Sequence, residues 1–194
     1  MPLATGGALV AFVLANVSLL LAVVVLGVAA IATAKFGQRR LALSARIELA
    51  SRARKGALAG VLGTAAYDAV RYALVSFVHM SVKPFHAIER FGELFIGHRA
   101  PTLLRYIVGS IYHVANGVGF TMAYSIVVSR VRIWSAVLWA LILEAFMLLL
   151  YPRWLGVNAG GEFAVMSIGG HLAYGTTVGY TLIKLAGGRR EFAE

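Results

Sequence analysis

"IWSAVLWALILEAFMLLLY", Ile133 to Tyr151, runs for 19 residues with a single charge, Glu144. A helix needs about 20 predominantly apolar residues to cross a hydrocarbon core. This stretch therefore reads as a membrane span rather than as one helix of a soluble core. A charged side chain near mid-bilayer costs about 2.5 to 3.5 kcal/mol on insertion scales, so Glu144 is expected to face other helices instead of lipid.

Outward from this span, the chain repeats the pattern. Four further stretches are long and apolar enough to cross: Ala8 to Ala34, Gly56 to Val78, Thr102 to Ser129 and Gly161 to Leu185. The composition agrees, with 60% hydrophobic and only 13% charged residues over 194, values outside the range of soluble domains. The sequence thus predicts an all-α, polytopic integral membrane protein of about five transmembrane helices.

Charge in the links sets the orientation. The link Lys35 to Lys55, "KFGQRRLALSARIELASRARK", holds seven basic residues and one Glu; "SRVR" before Ile133 holds two Arg, and the tail carries Lys184, Arg189 and Arg190. Positive links stay cytoplasmic, which puts the N-terminus outside and the C-terminus inside. The net charge of +10 is then a topology signal, and no nucleic-acid partner is expected. The basic link also offers a contact for anionic lipid, with Leu43, Ile47 and Ala50 along one face of an interfacial helix. "ATA" at Ala32 to Ala34 resembles a signal-peptidase site. No positive charge precedes the apolar run, however, and the run exceeds a signal core, so the first span is expected to be retained.

Residues 79–101 fall outside the membrane in this topology. Phe85, Ile88, Phe91 and Phe95 recur at helical spacing between Pro84 and Pro101, which predicts a short amphipathic helix in the outer interface. His86, Glu89 and Glu93 would form its solvated face. Tyr106, Tyr151 and Trp154 fall near the outer boundary and Trp134 near the inner one, as an aromatic belt requires.

The ionisable residues within the spans are the candidate site. Counted inward at about 1.5 Å per residue, Asp68, His113, Glu144 and His171 lie about 10 to 16 Å from the outer ends, one from each of four helices. The faces are consistent with a meeting: Gly109, His113, Asn116 and Phe120 share a stripe, as do His171, Tyr174, Gly175 and Val178, and Gly60, Thr64, Asp68 and Arg71. On the last face Asp68 and Arg71 can pair within one helix. Glycines four apart, Gly56 with Gly60 and Gly175 with Gly179, allow close helix approach.

Three explanations fit this layer. Interhelical hydrogen bonding worth about 0.6 kcal/mol a pair is the first. The second is proton or small-cation transport or sensing, with Arg71 holding the charge on Asp68 while Asn116 and Tyr174 orient the imidazoles. The third is a cofactor: a divalent metal on His113, Glu144, His171 and Asp68, or a haem flanked by the two histidines, in electron transfer or redox catalysis. Enzyme signatures are missing from the sequence: it has no cysteine, no G-x-S-x-G elbow, no phosphate-binding glycine loop and no H-E-x-x-H. The second explanation leads, in a non-enzymatic protein.

The distal half carries a resemblance. "YSIVVSRVRIWSAVLWALILEAFMLLLYPRWLGV" followed by "EFAVMSIGGHLAYGTTVGY" resembles the last spans of the small YagU-like and YqhR-like bacterial inner-membrane proteins. The shared features are a basic link with a Trp, a span with one polar residue ending near a Pro, and a glycine-histidine pair in the final span, carried here by Gly170 and His171. The resemblance covers about residues 105–182. It implies a multi-pass protein of the bacterial cytoplasmic membrane and names no reaction.

Together these readings divide the chain into an anchor helix with its basic cytoplasmic link, residues 1–55, and a four-helix transmembrane bundle, 56–194, with the external segment at 79–101. Five short helices make a small pathway for one subunit, so a homo-oligomer or a place as an accessory subunit in a larger membrane complex is expected.

Overall fold

The computed structural model describes residues 19–155 and 161–187, and all the regular structure there is helical. The first half of the expected first span, the outer link at 156–160, the tail with Arg189 and Arg190, and the side chains of Tyr151 and Trp154 lie outside the described residues. The helices are α1 (Leu19–Arg40), α2 (Leu43–Val78), α3 (His86–Ile96), α4 (Thr102–Val127), α5 (Ile133–Leu155) and α6 (Glu162–Gly187).

α2 starts well before the expected boundary. It runs unbroken for 36 residues, so the basic link is not a separate interfacial helix: Lys35 to Arg40 end α1, and residues 43–55 are the first turns of the helix that carries Asp68. Lys and Arg are good helix formers and nothing from Leu43 to Val78 is a proline, so the switch from charged to apolar sequence changes the solvent without stopping the helix. The division expected at residue 55 consequently falls inside a continuous element. Arg52 closes an i, i+4 ion pair with Glu48 at 2.8 Å on this stretch. His79 ends the helix in the left-handed conformation.

α2 is the hub. It packs along α4 on one side and α6 on the other; α6 packs on α5, and α3 on α4. The glycine stripes are the contact lines. A Cβ at Gly60 would lie 2.7 Å from the Val118 Cα, and one at Gly175 would lie 2.6 Å from the Val137 Cα. Both fall well inside carbon contact distance, so only glycine permits these helix separations. Gly92 and Gly109 do the same between α3 and α4, where a side chain would strike the carbonyls of Arg105 and Ile88.

α3 is amphipathic, with Ile88 and Phe91 buried against Tyr112 of α4. Its acidic residues are not the solvated face expected of them. Arg105 of α4 bridges Glu89 at 2.9 Å and Glu93 at 2.8 Å, and Arg90 also reaches Glu93. At the end of the bundle nearest α3, the Ser81 N–H donates to Glu162 at 2.7 Å and so ties the segment after α2 to the start of α6.

Many large apolar side chains lie on the outside of the bundle while several polar ones are buried within it. Leu103, Leu149 and Phe77 are 73%, 75% and 81% exposed, while Thr64, Arg71, Asn116, Thr121, Glu144, Ser167 and His171 are buried. Among the described residues, α2 alone is a helix both long and apolar enough to cross a membrane by length and composition. The apolar run of α5 covers Ile133–Leu149. In α4 and α6 the buried polar residues that line the interior, such as His113, Asn116 and His171, lower the average hydropathy.

Candidate functional site

Two apolar clusters fill the interior. Phe91, Tyr112, Phe163 and Met166 form one, and Ala59, Tyr124, Ala136, Tyr174 and Val178 belong to the other. The ionisable residues lie between them as two pairs, not as one four-residue cluster.

The first pair joins α2 to α4. His113 Nε2 lies 3.2 Å from both carboxylate oxygens of Asp68. The second joins α6 to α5: His171 Nδ1 lies 2.8 Å from Glu144 Oε2 and 3.0 Å from the Ser167 carbonyl. A carbonyl oxygen only accepts, so His171 carries a proton on Nδ1 and donates it to the Ser167 carbonyl, with the Glu144 carboxylate alongside. The Ser167 hydroxyl donates to the same Glu144 oxygen at 2.9 Å. The other, Oε1, is buried without a partner.

Tyr67 connects the pairs. Its ring centroid is 5.7 Å from that of His113 and 4.9 Å from that of His171, edge to face with the latter. The Tyr67 ring thus lies against both imidazoles, in the space where a haem flanked by them was expected. His113, Glu144, His171 and Asp68 do not converge as metal ligands. Among the described residues, no group of three or more His, Asp or Glu side chains is placed to share an ion.

The other candidates divide. Arg71 does not pair with Asp68. Helical side chains lean toward the N-terminus of their helix, and the Arg71 guanidinium accordingly sits over the Tyr67 ring, 5.0 Å from its centroid. Its Nε is buried with no partner. Asp68, freed from Arg71, turns to His113 on the neighbouring helix. Tyr174 does not orient an imidazole either. Its hydroxyl donates to the Gly117 carbonyl at 2.6 Å and lies 2.5 Å from Thr121 Oγ1, which locks α6 to α4. Asn116 is buried one turn from His113, with its Oδ1 unpaired.

The chain matches no known family model, and no curated protein or solved structure is detectably similar to it. The site therefore has to be read from its own chemistry.

Sequence reasoning missed Tyr67, Ser167 and Arg105. Two weak signals were present. Tyr67 precedes Asp68 in "YDAVR", and Ser167 stands one helical turn before His171 in "SIGGH", the spacing at which a backbone carbonyl meets an imidazole. Arg105 sits at the opening of a span, where a basic residue ordinarily passes for an interfacial anchor.

Proposed function

We propose that this is a multi-pass protein of the bacterial cytoplasmic membrane. Five spans cross with the N-terminus outside and the C-terminus inside, and the bundle takes up and releases protons at its two histidine-carboxylate pairs, in transport or in sensing. The membrane placement is supported by the apolar outer surface. Phe77, Leu103, Ile111 and Leu149 are more than half exposed, and such a surface is stable when the surrounding medium is hydrocarbon. The basic links and the resemblance of the distal half to the YagU-like and YqhR-like proteins belong to the same proposal.

One observation carries the proton reading: both intramembrane histidines face a carboxylate, and the ring of a single tyrosine, Tyr67, lies between the two pairs. Histidine is the side chain whose charge changes nearest neutral pH. A carboxylate beside it makes the protonated form tolerable in a low-dielectric interior. Proton movement is favoured over a small metal cation because Arg71 places a fixed positive charge in the same layer, which repels a cation but leaves proton exchange between neighbouring groups open.

The test uses the whole chain in proteoliposomes containing a pH-sensitive dye, under an imposed membrane potential. Proton flux that is present in the wild type and lost in His113→Ala and His171→Ala supports transport. Histidine resonances that titrate without flux support sensing. Flux unchanged in both variants, with histidines that do not titrate, overturns the proposal.

A further inference from the structure

Among the described residues, the one buried arginine of the layer, Arg71, has no counterion within ion-pair distance. Arg71 is 4% exposed, its stem passes Gly170 so closely that a Cβ there would lie 3.1 Å from its Cγ, and its head lies inward over Tyr67. It does not reach back toward the interface, the usual escape for an arginine in a span. Both nearby carboxylates are committed elsewhere, Asp68 to His113 and Glu144 to His171 and Ser167. Nε, which forms one edge of the guanidinium fork, is left with no partner. That edge presents two parallel donors and suits a planar oxyanion bound side-on.

We infer that Arg71 is an anion-binding residue, and that the bundle takes a small planar oxyanion of the carboxylate or nitrate type against the guanidinium edge beside Tyr67. Gly170 leaves room for the arginine stem, and the Tyr67 face holds the guanidinium plane.

Charge balance links this site to the pairs. Arg71 lies against Tyr67, and the titratable and charged groups gathered around that ring are Asp68 from the same helix, His113 from α4, His171 from α6 and Glu144, which pairs with His171, from α5. The charged side chains Glu89, Arg90 and Glu93 of α3 are engaged with one another and with Arg105. With both imidazoles neutral, the two carboxylates outweigh Arg71 by one charge and repel an anion. With both protonated, Arg71 is in excess by one and attracts it. Proton uptake and anion uptake therefore favour each other. This coupling rests on the proton reading proposed above, whereas the anion site rests on Arg71 alone.

The experiment is calorimetric titration of the intact, detergent-purified protein with sodium nitrate and sodium acetate, with sodium sulfate as the tetrahedral comparison, at about pH 5.5 and about pH 7.5, either side of the ordinary histidine value. The expected result is saturable binding of one nitrate or acetate, tighter at the lower pH by up to about tenfold per pH unit for each proton coupled. Binding should weaken by about tenfold or more in Arg71→Gln and persist, weakened, in Arg71→Lys, which keeps the charge and loses the fork. The wild-type titration and the lysine variant decide the matter if Arg71→Gln fails to fold. No binding of either anion to the wild type, or equal binding in Arg71→Gln, overturns the inference. Binding that depends on Arg71 but not on pH upholds the anion site and overturns the coupling.

Discussion

Glu144 and His171 should be energetically coupled, and the structure says by how much. The Glu144 carboxylate accepts a hydrogen bond from the Ser167 hydroxyl at 2.9 Å, lies 2.8 Å from His171 Nδ1, and is almost wholly buried. In soluble proteins, removing one partner of a buried charged pair costs about 3 to 5 kcal/mol. Interhelical polar contacts in a bilayer average about 0.6 kcal/mol and reach about 1.7, because the separated helices find other partners in the membrane. A short, charge-assisted and fully enclosed pair belongs at the upper end. The expected loss is about 2 kcal/mol for Glu144→Leu or His171→Leu alone, and a coupling energy of about 1.5 kcal/mol in the double-mutant cycle, close to a tenfold change in the folded-to-unfolded ratio. The assay is reversible unfolding in mixed micelles, followed by helix content, for the wild type, both single variants and the double variant. The pair of Asp68 and His113, at 3.2 Å and less enclosed, should give only about 0.6 kcal/mol in the parallel cycle. A Glu144 and His171 coupling below about 0.3 kcal/mol, the range in which independent sites add, would refute the pairing.

Three other outcomes follow from the packing. Gly60→Ile and Gly175→Ile each drive a side chain into backbone 2.6 to 2.7 Å away and should destabilise the bundle by about 1 to 3 kcal/mol, whereas Gly27→Ala, with nothing near its Cβ, should leave the unfolding midpoint unchanged. Arg105→Ala strips both carboxylates of α3 of a partner, so amide exchange should speed up across His86–Ile96 while the α2 core stays protected. The chain has no cysteine, so Ala42→Cys, Gly97→Cys and Arg130→Cys each introduce a unique label. An impermeant maleimide should reach Gly97→Cys from outside and the other two only from the cytoplasmic side, and labelling of all three from one side would defeat the five-span topology.

The starts of α4 and α5 were legible because hydropathy and the flanking charges change together at Thr102 and Ile133. The start of α2 was not, because seven basic residues between Lys35 and Lys55 look the same whether they form a link or a helix running on beyond the lipid. Depth and face placed Asp68, His113, Glu144 and His171 within reach of one another. They could not say which histidine took which carboxylate, because that depends on helix order around α2. The expected partnership of Asp68 with Arg71 failed for a local reason: the arginine leans one turn toward the N-terminus, onto Tyr67, and leaves its acidic neighbour to another helix. Tyr67 itself was invisible as a site residue, since an aromatic on an apolar helix ordinarily signals packing.

The length of α2 has a mechanical consequence. Its 36 residues span about 54 Å at about 1.5 Å per residue; in the membrane placement proposed above, with about 30 Å of hydrocarbon, more than a third of it would project as a charged shaft. Arg46 and Asp68 ride on this single rod about 33 Å apart, with no break in the helix between them. A push on the Arg46 end would therefore reach Tyr67 and Asp68 as a torque on one continuous helix, with no loop to cross.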